Sequence, residues 1–308
     1  MSLELYILGT SGMMPLPNRF LTSVLIRREG ELMLFDCGEG TQVALKRLNL
    51  KWKKISRIFI SHMHADHVTG LPGLLMLSSQ VDREDPLHIY GPAKLEKYIE
   101  ANRKILDMYI NYEIIFHAVE EGGIICEEED FYVEVFKLKH TKPCYGYNII
   151  EHDRPGKFHP EKAIELKIPV GPLWAKLQAG NSITLDNGCT IKPDEVMGDK
   201  RAGRKFSYVT DTQYIESIAG HVSGADFLVC EGMFEKGLED TAKEKRHLTA
   251  LQAAQIAKDA GNIKRMGLIH FSPRYTDREL YKLLDDAKEV FPDTILCRDL
   301  KKIEIPYV

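Results

Sequence analysis

Ile58-Phe59-Ile60-Ser61-His62-Met63-His64-Ala65-Asp66-His67 runs from three apolar residues straight into three histidines and an aspartate. The apolar triplet reads as the end of a buried strand, and the polar residues as the turn that leaves it. In an extended stretch His62 and His64 point to the same side and can reach one ion. Asp66 and His67 lie past the bend and can face a second. Imidazole nitrogens and carboxylate oxygens are the ligands zinc takes where thiolates are absent. With 11 histidines in 308 residues, three at fixed offsets arise by chance at roughly 1% over the whole chain, before the aspartate is required. A metal site explains the cluster better than a solvated turn does.

The flanking sequence gives the setting. Leu3 to Leu8, Ser23 to Arg27, Leu32 to Asp36 and Arg57 to Ser61 are short apolar runs closed by turn residues, and each predicts a strand. Gly38-Glu39-Gly40-Thr41 opens a helix with Ala44, Leu45 and Leu48 on its apolar face. A helix follows the histidines, and another begins at Pro92 and runs toward Ile105. Phe131 to Leu138, Phe206 to Thr210, Phe227 to Cys230 and Met266 to His270 predict later strands. Helices follow over Leu248 to Ala260, capped by Thr249, and from the Thr276–Glu279 capping box toward Phe291. The alternation is that of an α/β fold. From about 153 to 180 it lapses into Pro155, Gly156, Pro160, Pro169, Gly171, Pro172 and Gly180, which predicts an insertion that projects from a single domain spanning 1–308.

Composition excludes several classes. Apolar residues make up 44% and charged residues 28%, so the chain is neither fibrous nor disordered. The N-terminus carries Glu4 and no basic segment, and the apolar stretch Val68–Leu77 is broken by Gly70, Pro72 and Gly73, far short of the ~20 residues a membrane span needs. Six scattered cysteines without a Cys-x-x-Cys pair suit reduced thiols. These features predict a cytoplasmic protein with no membrane partner. The net charge of −4 argues against indiscriminate nucleic-acid binding, yet basic residues cluster locally. Lys46, Arg47, Lys51, Lys53, Lys54 and Arg57 form one run, and Lys200, Arg201, Arg204 and Lys205 another. Arg154, Lys157, Lys162, Lys167 and Lys176 lie in or beside the insertion.

His-x-His-x-Asp-His after a buried strand resembles the signature of the metallo-β-lactamase superfamily. Further ligands of that pattern are matched in order by His140, Asp211 and His270, each at a predicted strand end. Phe35-Asp36-Cys37-Gly38-Glu39-Gly40-Thr41-Gln42, His247-Leu248-Thr249 and Ser272-Pro273-Arg274-Tyr275 resemble motifs of the ribonuclease Z family of tRNA 3′-processing endonucleases. The insertion is similar to that family's tRNA-clamping arm, through Arg154-Pro155-Gly156-Lys157-Phe158 and Gly171-Pro172-Leu173-Trp174-Ala175-Lys176.

The resemblance implies a four-layer αβ/βα sandwich with a projecting exosite arm, and two Zn²⁺ per subunit. One would be held by His62, His64 and His140, the other by Asp66, His67 and His270, with Asp211 bridging. Asp66 would also act as catalytic base, His247 would protonate or stabilise the leaving 3′ oxygen, and Asp36 would orient ligand histidines from behind. Arg154, Lys157, Gly171, Pro172 and Lys176 would bind RNA. The implied partners are precursor tRNA and a second copy of the chain in a homodimer. Two departures from the family pattern stand out. Met14-Pro15-Leu16-Pro17-Asn18-Arg19-Phe20 lacks the lysine and final asparagine of a bacterial loop that senses mature CCA ends, and Ala175 replaces a usual glycine. Two competing functions remain: another hydrolase of the same fold acting on small phosphodiesters, sulfate esters or thioesters, and a non-catalytic RNA-binding homologue.

Overall fold

Continuous apolar runs such as Phe227-Leu-Val-Cys-Glu231 leave no polar face for water, so the strands they form are covered on both sides. The computed structural model describes residues 2–81 and 83–307. In chain order the first strands are β1 (Leu3–Gly9), β2 (Ser23–Arg28), β3 (Glu31–Phe35), β4 (Ile55–Phe59), β5 (Leu87–Gly91) and β6 (Ile114–Ala118). There follow β7 (Gly123–Glu127), β8 (Phe131–Lys139), β9 (Pro143–Glu151), β10 (Ile183–Thr184) and β11 (Thr190–Ile191). The last are β12 (Lys205–Val209), β13 (Phe227–Glu231), β14 (Met266–Ile269), β15 (Thr294–Leu296) and β16 (Lys301–Glu304). One sheet has the order β16-β1-β2-β3-β4-β5-β6, the other β15-β14-β13-β12-β9-β8-β7. In each sheet the later strands run parallel, β3 to β6 in one and β12 to β15 in the other.

The two sheets meet through aromatic side chains. Phe35 lies 5.5 Å from both Phe206 and Tyr208, and Phe59 lies 5.4 Å from Tyr147, ring centre to ring centre. All five are fully buried. Truncating Phe35 to alanine in such packing costs about 3–5 kcal/mol. The outer face of the first sheet is covered by α1 (Thr41–Arg47), α3 (Leu71–Ser79) and α4 (Lys94–Ile105), through Ala44, Leu45, Leu71, Leu74, Leu95 and Ile99; the short α2 (Ala65–Val68) precedes α3. The helices α7 (Ser217–Val222), α9 (Ala250–Asp259) and α10 (Leu280–Lys288) cover the second sheet through Ile218, Ala253, Ile256 and Leu283. The result is the four-layer sandwich expected from the sequence. Among the described residues no helix is long and apolar enough to cross a membrane.

A second compact unit comprises Glu129–Phe131 and Ile150–Arg204, taking in the whole 153–180 stretch and extending beyond it. It is better ordered than its composition suggested. Pro160 and Pro172 open α5 (Pro160–Glu165) and α6 (Pro172–Gln178), where a fixed φ and a missing N–H cost nothing. Ala163, Ile168, Leu177, Ile183, Ile191 and Val196 form its own core, and the Trp174 indole donates to the Ile168 carbonyl at 3.2 Å. Arg204 closes it with a buried two-point contact to Glu151, both bonds 2.8 Å.

Candidate metal centre

Five of the seven candidate ligands stand just past the carboxyl end of a strand, where α/β sheets present their sites. His62 and His64 follow β4, His140 follows β8, Asp211 follows β12 and His270 follows β14. Asp66 and His67 occupy the first turn of α2. The loop between α8 (Glu239–Lys245) and α9 carries His247. Asp211 is the centre of the arrangement. Its Oδ2 lies 3.6 Å from His62 Nε2 and 3.7 Å from His140 Nε2. Its Oδ1 lies 3.3 Å from His67 Nε2 and 3.2 Å from His270 Nε2. Asp66 Oδ2 is 3.7 Å from His67 Nε2 and 3.9 Å from His270 Nε2. All seven residues read from the sequence as ligands are thus brought together, in the two groups read there.

The hydrogen bonds decide which nitrogen of each imidazole is bare. The Ser61 hydroxyl spends its proton on Asp36 Oδ2 at 2.8 Å, so it accepts from His62 Nδ1 at 3.0 Å. Thr22 donates to the Ser11 carbonyl and therefore accepts from His270 Nδ1 at 2.7 Å. His67 Nδ1 donates to Asp36 Oδ2 at 2.7 Å, and His140 Nδ1 to the Arg246 carbonyl at 2.9 Å. Four Nε2 lone pairs consequently face Asp211, and those of His62, His67 and His270 are buried with no hydrogen-bond partner. His64 is held the other way round, with Nε2 3.2 Å from Thr141 Oγ1 and Nδ1 3.1 Å from His140 Nε2. A bare nitrogen aimed at a carboxylate oxygen repels it unless a cation lies between them. Tetrahedral bonds of 2.0–2.1 Å place ligand atoms about 3.3 Å apart. The donor set and its spacing fit divalent metal.

Electrostatics agree with that fit for the first histidine group and mark the second as short of positive charge. Burial, then the positive field of His67, holds His62 well below the usual imidazole range, and burial lowers His64 and His140 also. A neutral imidazole is the form that ligates. Burial opposes the charge on Asp211, but His270, His67, His62 and His247 hold its carboxyl well below the carboxylate range. His67 is driven down by burial and more strongly up by Asp211, Asp36 and Asp66, ending well above its ordinary value.

Asp36 does more than orient one histidine. It accepts from the Ser61 N–H at 2.7 Å and from the Tyr208 hydroxyl at 2.8 Å as well as from His67, with its own φ at +52°. Gly12 is required beside the centre, because a Cβ there would stand 2.7 Å from His270 Nε2.

Sequence reasoning missed Glu231. It ends β13, between the strands that deliver Asp211 and His270, and is fully buried. Its Oε2 accepts from His247 Nδ1 at 2.9 Å and its Oε1 from the Thr212 N–H at 2.6 Å. Burial lowers the His247 pKa, but Glu231 and Asp211 outweigh it and raise it to about 9. An acid closing an apolar parallel strand at the site end was the available signal.

The basic residues divide. Lys157, Gly171, Pro172 and Lys176 are exposed and Arg154 is half-buried in the second unit. Arg57 is not an open cation but pairs with Glu31 and Glu128, and Lys205 donates to the His221 and Ser223 carbonyls at 2.7 and 2.9 Å. Arg204 is spent on Glu151. Arg19 of the altered loop is buried, donating to the Tyr275 carbonyl and lying 3.6 Å from Asp277.

Comparison with known proteins narrows the family. The family described as "Anti-Pycsar protein Apyc1" matches residues 3–153. Over its full length the chain is 64% identical to a ribonuclease Z of Treponema denticola and 59% identical to one of Treponema pallidum, covering 99% of each. Among solved structures, human tRNase Z, short form, superposes with a TM-score of 0.73 at 27% identity, over 98% of this chain and 99% of that one. The metallo-β-lactamase fold protein YhfI of Bacillus subtilis, 19% identical, shares the fold with a TM-score of 0.70 over 99% of this chain and all of its own.

Proposed function

The chain belongs to the ribonuclease Z family, and from that premise we propose that it is a zinc-dependent endoribonuclease that removes 3′ trailers from tRNA precursors. The observation that carries this reading is Asp211, whose two oxygens each face a separate histidine group with bare nitrogens. His62, His64 and His140 would hold one zinc, Asp66, His67 and His270 the other, and Asp211 both. Two such ions supply Lewis-acid charge to the phosphate oxygens.

The chain's own groups handle the protons. A water attacks phosphorus in line with the tRNA 3′ oxygen, and the P–O3′ bond breaks. Asp66 takes the water's proton. His247, held in one orientation by Glu231, gives a proton to the leaving oxygen, so the tRNA keeps a 3′ hydroxyl and the trailer a 5′ phosphate. The bond to Glu231 fixes Nδ1 as the proton-bearing nitrogen that anchors the ring, leaving Nε2 for transfer.

The second unit is the tRNA arm in this reading, with Arg154, Lys157, Gly171, Pro172 and Lys176 as contacts. Exposed Lys157 and Lys176 and the exposed turn at Gly171, φ +137°, support it. In this reading the enzyme is cytoplasmic and homodimeric. Incubation with a 3′-extended pre-tRNA tests the function. Cleavage at the trailer junction should stop with a chelator and return with zinc. Chelator-insensitive cleavage, or none with zinc restored, would sink it. Deleting 154–177 should cost cleavage of pre-tRNA far more than that of a small phosphodiester.

A further inference from the structure

Met13 adopts a conformation that glycine would reach without strain. Its φ is +67°, and the Met14 N–H bonds back to the Gly12 carbonyl at 2.8 Å, closing a γ-turn of the rare, strained hand. The surroundings hold it there. Ser11 donates to the Met14 carbonyl at 2.8 Å, and the Gly12 N–H donates to the Phe271 carbonyl at 3.0 Å. Strained backbone persists where neighbouring structure over-determines it, and it concentrates at functional sites. Here the turn presents two groups. The Met13 N–H donates to Asp66 Oδ2 at 2.7 Å, while the side chain is 63% exposed.

The N–H alone does not account for a methionine, since any residue but proline supplies it and glycine does so most easily. The side chain is the part left to explain, and the reaction proposed above says what it meets. In-line displacement puts the leaving 3′ oxygen at His247 and the attacking water opposite, at Asp66. Met13 is bonded to Asp66, so in that reaction it stands on the side of the attacking water, opposite the tRNA body. The nucleotide nearest it is then the first of the trailer, whose base presents a flat apolar face. A flexible, polarisable thioether suits contact with any such face.

We propose that Met13 is a substrate-binding residue that covers the base of the first trailer nucleotide, while its N–H positions Asp66. This rests on the tRNA reading above. The test compares wild type, Met13→Gly and Met13→Leu on two 3′-extended pre-tRNAs with zinc present, one ordinary and one abasic at the first trailer position. Glycine keeps both the turn and the N–H, so the loss isolates the side chain. Met13→Gly should raise KM for the ordinary substrate about five- to tenfold, the low end for a lost base contact. Wild type should lose a similar factor on the abasic substrate, where the variant loses little more, and Met13→Leu should recover most of the ordinary value. No loss on the ordinary substrate, or the same Met13→Gly loss on both substrates, overturns the inference while wild-type cleavage stands. Wild type that cleaves neither overturns the tRNA reading itself.

Discussion

On one oxygen of Asp211, His62 and His140 are backed by a serine hydroxyl and a main-chain carbonyl, and their neighbour His64 by a threonine hydroxyl. On the other, His67 and His270 share the space with Asp66, and a further carboxylate, Asp36, stands behind His67. The first group is neutral apart from Asp211 and includes the half-exposed His64; the second is buried and carries two extra negative charges. The difference teaches that two sites with similar histidines need not hold a cation equally. The Asp66 side should bind more tightly and exchange more slowly.

Removing the shared carboxylate breaks the comparison altogether. Asp211→Asn should lower pre-tRNA cleavage on the order of 10³-fold or more and reduce bound zinc at both positions, read by metal analysis of the purified protein. Retention of two ions with full activity would exclude the bridging role. Asp36→Asn strikes the stronger side directly, at His67, and reaches His62 only through Ser61; loss of such a backing carboxylate typically weakens metal about 10–100-fold. Competition with a graded chelator should show the order of release reversed relative to wild type. Thr141→Val, behind His64, replaces a neutral partner and should change zinc affinity less than about tenfold in the same titration. An effect as large as that of Asp36→Asn would erase the asymmetry.

The smallest effect on cleavage comes from a more distant support of the Asp66 side. Asp299 accepts from the Thr10 hydroxyl and the Phe20 N–H, both at 2.6 Å, fixing the two ends of the loop that carries Gly12 and Met13. Burial raises its pKa to about 6 from 3.8. A carboxyl raised on folding binds its proton more tightly in the native state. Its contribution is therefore complete below about pH 4 and is lost as pH rises through 6, by roughly 3 kcal/mol. The Tm of Asp299→Asn relative to wild type should climb between pH 4 and 6.5, with cleavage at neutral pH changed little. A flat difference would show that burial does not govern this group.

Much of the site was legible because its densest part is contiguous. The six residues from His62 to His67 need only one strand and one bend to converge, and both are written in the same segment. His140, Asp211 and His270 were reached through the family resemblance, whose order each fits by ending an apolar run. Glu231 was missed by one residue, since the strand was read to Cys230 and its terminal acid left outside. The positive φ values of Asp36, Arg246 and His270 have no sequence signal, because they are imposed by contacts with distant segments. The basic runs failed differently. Arg57, Arg204 and Lys205 look like their exposed neighbours, and only tertiary structure supplies the partners that occupy them. The second unit was legible as an interruption, but its small core depends on residues as far apart as Ala163 and Val196.

The bond from Tyr208 to Asp36 has a consequence for how the protein is made. It joins residues 172 positions apart, on opposite sheets, immediately behind a histidine of the centre. Neither half of the chain can complete the centre during synthesis, because His62 to His67 emerge long before Asp211 and His270. A nascent chain has only a partial, weakly binding set of ligands to offer. Strong capture of metal must wait until both sheets have closed, so its uptake would report completion of folding, and bound metal would then fasten the first-made half to the last.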